Sequence, residues 1–163
     1  MGAMFYTTMK SPIGPLLLAG DEGGLRLVYF ATGRGPKSPQ RGWTEDRTPF
    51  KEVIRQVEAY FEGKLQDFDI PLVLDGTEFQ LLVWNNLRKI PYGETISYGQ
   101  LARQIGSPDG ARAVGLANGS NPIPIIIPCH RVIGSNGDLT GFGGGLPIKK
   151  KLLALESKQL SFL

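Results

Sequence analysis

Glycine and proline divide this chain into short pieces, and the apolar period changes from two to three or four partway along it. From Phe5 to Ala31, apolar runs are separated by Ser11-Pro12-Ile13-Gly14 and by Gly20-Asp21-Glu22-Gly23-Gly24. Alternation of Leu25, Leu27 and Tyr29 with Arg26, Val28 and Phe30 in a β-rich stretch predicts a three-strand antiparallel meander. Thr32 to Thr48, rich in Gly, Pro and Arg, is expected to be an exposed loop. Phe50, Val53, Ile54, Val57, Tyr60 and Phe61 then recur at helical spacing, and Gly63 supplies a stop. An amphipathic helix packed on the meander follows. After an extended stretch near Phe68 to Leu74, composition shifts at Asp75-Gly76, so the halves are read as 4–76 and 77–163.

The second half is marked by helix starts. Thr77-Glu78-Phe79-Gln80 and Ser97-Tyr98-Gly99-Gln100 both have capping-box form, in which a hydroxyl and a glutamine satisfy each other's backbone N–H groups. The first helix is expected to run through Phe79, Val83, Leu87 and Ile90 until Pro91, and the second to close at Gly106. A third is expected from Ser107-Pro108, with proline at its first position, through Val114 to Gly119. Two short helices around Gly106-Ser107-Pro108 have the form of a helix-turn-helix or of a plain helical hairpin. Gly110, Ala111, Ala113, Gly115, Ala117 and Gly119 leave the third helix almost without side-chain bulk, at a cost in helix propensity. Close approach of its backbone to another helix or to a nucleic-acid groove would account for that cost.

With one Cys and one His, the chain can form no internal disulfide and lacks the ligands of a Cys/His zinc site. No apolar run approaches the ~20 residues of a membrane span, and a signal peptide is not recognisable, so a cytoplasmic protein with no membrane partner is expected. Met1-Gly2-Ala3 ahead of Met4 reads as an expression scar, with the native chain expected to start at Met4. The net charge of +3 is unevenly spread: nine Lys/Arg face ten Asp/Glu up to Gly76, and nine face five after it. The basic excess of the second half suits a polyanionic partner or an ordinary solvated surface.

The most informative stretch is Asn121-Pro122-Ile123-Pro124-Ile125-Ile126-Ile127-Pro128-Cys129-His130-Arg131-Val132. An apolar run ends at a proline and delivers the single Cys and the single His side by side, next to Arg131. His130 and Arg131 could stabilise a thiolate that Pro128 holds in direction; a small buried hydrophobe is the alternative. Together with Gly141-Phe142-Gly143-Gly144-Gly145-Leu146, this stretch resembles the O6-alkylguanine-DNA alkyltransferase family over Phe79 to Glu156, and Ser11-Pro12-Ile13-Gly14-Pro15-Leu16 resembles bacterial members.

That resemblance implies an α+β fold: an N-terminal ribonuclease-H-like antiparallel sheet with a helix, then a helical domain carrying the helix-turn-helix and the active-site cysteine. It implies an irreversible, cofactor-free transfer of the alkyl group from a flipped O6-alkylguanine in double-stranded DNA to Cys129. It further implies O6-methylguanine as the main substrate and O4-methylthymine as a secondary one. By the same resemblance His130 is the base acting through a water and Glu156 polarises it. Tyr98 protonates the departing purine, and Asn121 is a hinge between recognition helix and cysteine segment. Arg112 is the finger that fills the vacated stack, and Ala111, Ala113, Gly115 and Ala117, with Tyr98, face DNA through the minor groove. A monomer is expected, with cooperative loading on DNA left open. Two departures stand out: the zinc site of some relatives has no ligands here, and Phe142 and Gly143 replace a tyrosine and a serine of others. A DNA-binding module without transfer, or a thiol hydrolase, would be the competing classes; Cys129 argues against the first and the adjacent Cys–His pair against the second.

Overall fold

A computed structural model describes residues 3–30, 38–137, 139, 142 and 144–160, without the side chains of 158–160. The glycines at 141 and 143, residue 31 at the end of the meander and the segment 32–37 of the expected loop lie outside the described residues.

The meander forms as expected. β1 (Phe5–Met9), β2 (Leu16–Asp21) and β3 (Gly24–Phe30) pair antiparallel in the order β3-β2-β1. Leu18 sits between Thr7 and Val28 in the register. As the central strand, β2 is buried on both faces from Leu16 to Ala19. On β3 the expected alternation is not kept: Leu25, Val28 and Phe30 are buried, while Leu27 and Tyr29 are half-buried with Arg26. One strand was not foreseen: Thr44–Glu45, inside the expected loop, forms β4 and pairs parallel with β1. Its two residues are both exposed, so no apolar pattern announces it.

A 3-10 turn at Thr48–Phe50 leads into α1 (Lys51–Phe61), which buries Val53, Ile54, Val57 and Tyr60. Gly63, at φ 76°, ends it in the left-handed region that favours glycine. The chain then returns along the outer edge of β3, where Leu25 N–H donates to Pro71 O at 2.9 Å and Val73 N–H to Leu25 O at 2.9 Å. β3 meets the second half directly, with Val28 N–H donating to Pro122 O at 2.9 Å.

Both capping boxes are complete: Thr77 opens α2 (Glu78–Leu87) and Ser97 opens α3 (Tyr98–Gln104). Two helix limits differ from expectation. α2 stops at Leu87, one turn before Pro91, and Ile90 is buried from the following turn instead. Pro108 is not a first helical residue: Ser107 to Gly110 close a turn, with Gly110 N–H donating to Ser107 O at 2.8 Å, and α4 begins at Ala111 and ends at Gly119. The two-residue strands β5 (Ile96–Ser97) and β6 (Val132–Ile133) pair parallel, and α5 (Leu146–Leu160) completes the fold. One apolar core runs through both halves, from Leu18 and Val57 to Leu101, Ile127 and Leu152.

Gly24 and Gly42 both have positive φ, at 141° and 92°, but a side chain at Gly24 would lie 2.5 Å from Pro71 O whereas Gly42 faces open space. Gly42→Ala should therefore cost only the backbone term, about 1–2 kcal/mol. Gly24→Ala should cost at least ~2 kcal/mol more by also parting β3 from the Pro71 segment. Urea unfolding of the two variants checks the difference.

Candidate active site

Cys129 stands where an apolar segment is forced to turn. Pro122 to Pro128 is pinned by Asn121, whose side chain accepts from Ile123 N–H at 3.0 Å and donates to Ile127 O at 2.7 Å. Ile125, buried within it, has φ 75°, the single positive value among the described non-glycine residues. A β-branched residue adopts that conformation only when its surroundings over-determine it. The segment ends in a 3-10 turn, Cys129–Arg131, that separates two adjacent side chains. Asn118, at the end of α4, donates to Cys129 O at 3.3 Å. Asn118 thus ties α4 to the cysteine main chain, and Asn121, just beyond the helix, holds the segment that leads to it.

A cavity of about 260 Å³ reaches Cys129, lined among others by Tyr29 and Phe30 of β3, Asn118, Pro124 and Phe142. The thiol itself is buried, at 4% exposure. Burial pushes its pKa up to about 11, against the opposing pull of the Asn121 side chain and the Lys149 ammonium.

Behind the cysteine lies a buried ionic cluster centred on Glu156, which is 1% exposed. Its Oε2 meets His130 Nε2 at 2.7 Å, Arg131 Nη2 at 3.0 Å and the Tyr60 hydroxyl at 2.6 Å. Its Oε1 accepts from Arg131 Nε at 2.8 Å and Gly93 N–H at 3.2 Å. Burial alone would raise this carboxyl's pKa, but the hydrogen bonds and positive charges of His130 and Arg131 bring it down to about 2. The carboxylate is therefore ionised at any working pH. For His130 the balance goes the other way: burial lowers its pKa, and the raising effect of Glu156 only partly offsets this. A neutral imidazole whose Nε2–H is held by a carboxylate carries its lone pair on Nδ1. That atom is buried and meets no protein hydrogen-bond partner among the described residues.

Lys149, at 0% exposure, was not singled out by the sequence. Its Nζ donates to Val132 O at 2.7 Å and stands 6.0 Å from the centre of the Tyr98 ring. Burial lowers its pKa to about 8, with the nearby Cys129 acting in the opposite direction. The available signal was its phase: Lys149, Leu152 and Glu156 share one face of α5, all buried. Arg131 also departs from expectation, since its guanidinium grips Glu156 and Ile90 O instead of facing the thiol.

Tyr98, the first residue of α3, lies against α4 where a side chain on Gly115 would come within 3.8 Å of its ring. Arg112 and Ala113 are exposed on α4, and Ala111 and Gly115 are half-buried. Ala117 is corrected: at 4% exposure it belongs to the core, and its carbonyl accepts from Trp84 Nε1–H at 2.8 Å, so it is not part of an outward face. Leu116, one helical turn beyond Arg112, is 73% exposed. No group of three His, Cys, Asp or Glu that could hold a metal occurs among the described residues. Nor is any helix there long and apolar enough to cross a membrane.

Two family models cover nearly the whole chain: the ribonuclease-like domain of 6-O-methylguanine DNA methyltransferase over residues 4–74, and its DNA-binding domain over residues 78–158. The chain belongs to this family. A methylated-DNA–protein-cysteine methyltransferase of Methanosarcina acetivorans is 56% identical over 153 residues, covering 94% of this chain and 98% of the relative. One from Mycolicibacterium paratuberculosis is 54% identical over 153 residues, covering 94% and 92%. Among solved structures, the Mycobacterium tuberculosis protein in complex with DNA superposes with a TM-score of 0.89 at 52% identity, covering 95% of this chain and 94% of that one. The α+β fold expected of the family is the one observed.

Because thiolate is the reactive form and the thiol is held near pKa 11, alkylation of Cys129 by iodoacetamide in the free protein should rise about tenfold per pH unit between pH 7 and 9. A rate that levels off below pH 8 would mean that the thiol is already ionised at rest.

Proposed function

We propose that this protein reverses O6-alkylguanine damage in duplex DNA, receiving the extruded base in the cavity beside Cys129 and moving its alkyl group to the cysteine sulfur once per molecule. The observation that carries this reading is the single cysteine at an apolar cavity, adjacent to a histidine whose far ring nitrogen is held by a buried carboxylate. Membership of the methyltransferase family supports it.

Glu156 accepts Nε2–H and leaves Nδ1 of His130 free to take the thiol proton through a water. Sγ then attacks the alkyl carbon; the S–C bond forms as the C–O6 bond breaks. Charge that develops on the purine is neutralised by a proton from the Tyr98 hydroxyl, and Lys149 supplies a positive charge close to both Tyr98 and Cys129. The raised resting pKa of the thiol fits a protein that generates its nucleophile only when proton transfer is set up. The thioether formed at Cys129 has a stable C–S bond with no ready leaving route, so one molecule removes one lesion.

α4 is the element offered to the minor groove. Ala111 and Ala113 give it a slim surface, and Arg112 extends from it to fill the space left by the base. Leu116, on the same side of the helix, adds an apolar contact. Asn121 couples this helix to the cysteine segment. Residues 4–76 form the supporting half and 77–163 the DNA-binding and transfer half. O6-methylguanine is the principal substrate, O4-methylthymine a second; the protein works as a monomer in the cytoplasm, and cooperative loading on DNA is left to measurement.

Cys129→Ser should abolish transfer yet bind alkylated duplex nearly as well as the parent, because groove and phosphate contacts come from other residues. Intact-protein mass after incubation with methylated duplex gives the answer: the parent gains one methyl per chain and the variant none. Stoichiometric gain by the variant would overturn the acceptor.

Arg112→Ala separates base extrusion from chemistry. It should slow repair of duplex by at least about tenfold, or ~1.4 kcal/mol, while leaving reaction with a free alkylated guanine nearly unchanged. Tyr98→Phe should slow both. Equal losses on the two substrates for Arg112→Ala would assign that residue to the fold or the chemistry instead.

A further inference from the structure

Tyr60 belongs to α1, in the half of the molecule to which no chemistry has been given. Its ring is fully buried, with Phe61, Phe68 and Tyr92 around it at centroid distances of 5.3, 5.4 and 6.2 Å. A phenylalanine would keep all three contacts. The hydroxyl is what that packing does not require, and it is aimed across the molecule at Glu156 Oε2, the same oxygen that meets His130 Nε2. Among the described residues it is the one hydrogen bond to this carboxylate from the N-terminal half.

We infer that Tyr60 is a positioning residue for alkyl transfer: by donating to Glu156 Oε2 it limits how strongly that oxygen draws on His130 and so sets the basicity of the imidazole. The inference rests on His130 being the base. A carboxylate divides its negative charge among its donors, so each added donor weakens its hold on the others. With the Tyr60 hydroxyl present, the imidazolium is less stabilised and His130 stays neutral to lower pH. The phenol can play this part throughout the working range, because burial and the Glu156 charge keep its pKa far above the usual value, leaving it always protonated. It therefore cannot act as an acid or base of the reaction. The other charged or titratable groups around the pair are Arg131 from the 3-10 turn, Lys149 from α5, and Tyr92 before α3. A change at Tyr60 removes none of these groups, although Arg131 shares Glu156 Oε2 with the Tyr60 hydroxyl.

The test measures transfer from a free O6-alkylguanine as a function of pH, which leaves DNA binding aside. For Tyr60→Phe the acidic limb of the profile should move up by about half a pH unit or more, with the rate near pH 8 reduced less than about threefold. Introducing 3-fluorotyrosine at position 60, a stronger donor of nearly the same shape, should move the limb down instead. Gly24→Ala, which weakens the N-terminal half away from the cluster, should leave the limb where it is; movement in step with lost stability would overturn the inference. If Tyr60→Phe does not fold, the fluorinated protein decides alone, and an unmoved limb overturns the inference. His130→Gln distinguishes the two levels of the argument. Persistence of the limb in that variant rejects His130 as the base; its disappearance there, with both Tyr60 replacements leaving the limb fixed, rejects the role of Tyr60 only.

Discussion

A carboxylate with almost no water around it holds this molecule's working parts in place. Isolated, the Glu156 charge would be too costly to bury, and it persists only because five hydrogen bonds reach its two oxygens from four residues. Each donor is fixed in return: Arg131 and His130 on the turn that carries the cysteine, Gly93 on the approach to α3, and Tyr60 on the helix beneath the sheet. Removing the carboxylate would strand the Arg131 guanidinium and release the histidine at once. What holds the His130 ring is also one of the links between the first half of the chain and the second.

The N-terminal half consequently takes part in more than support. β3 supplies Tyr29 and Phe30 to the wall of the cavity at Cys129, and its Val28 N–H binds Pro122 at the start of the cysteine segment. Together with Tyr60, these contacts mean that strand register in the meander bears on geometry at the sulfur. Between β2 and β3 that register shifts at a bulge at Ala19 and Gly20. Burial around the thiol has a matching effect on reactivity, keeping the sulfur protonated when nothing is bound.

What could be read from the sequence was local. Thr77 and Ser97 announced α2 and α3 because a capping box completes itself within four residues, and Pro128-Cys129-His130 marked the candidate site because its parts are contiguous. The features that escaped depend on partners far away along the chain. Tyr60 and Glu156 are 96 positions apart, and from periodicity Tyr60 is simply another apolar residue of α1. β4 is two exposed residues held by pairing alone. Pro108 suits a first helical position, yet the Ser107–Gly110 turn takes it up before the helix begins. Ala117 shares the small size of Ala111 and Ala113, and only the Trp84 contact separates a residue that lets helices approach from those on the outer face. Lys149 was hidden in a run of three lysines, where charge suggests solvent and only helical phase reveals burial.

That phase carries a consequence for the length of α5. Lys149, Leu152 and Glu156 fall at intervals of three and four and are all buried along one stripe, so one helix delivers the positive charge near Cys129 and the negative charge behind His130. An inserted or deleted residue between positions 149 and 156 would rotate one charge by about 100° relative to the other. No side-chain adjustment recovers such a turn, and the misplaced group would be driven into apolar core. Lengthening the helix beyond Glu156 changes neither angle. Natural variation in chain length should accordingly be absent from those two turns and tolerated directly after them.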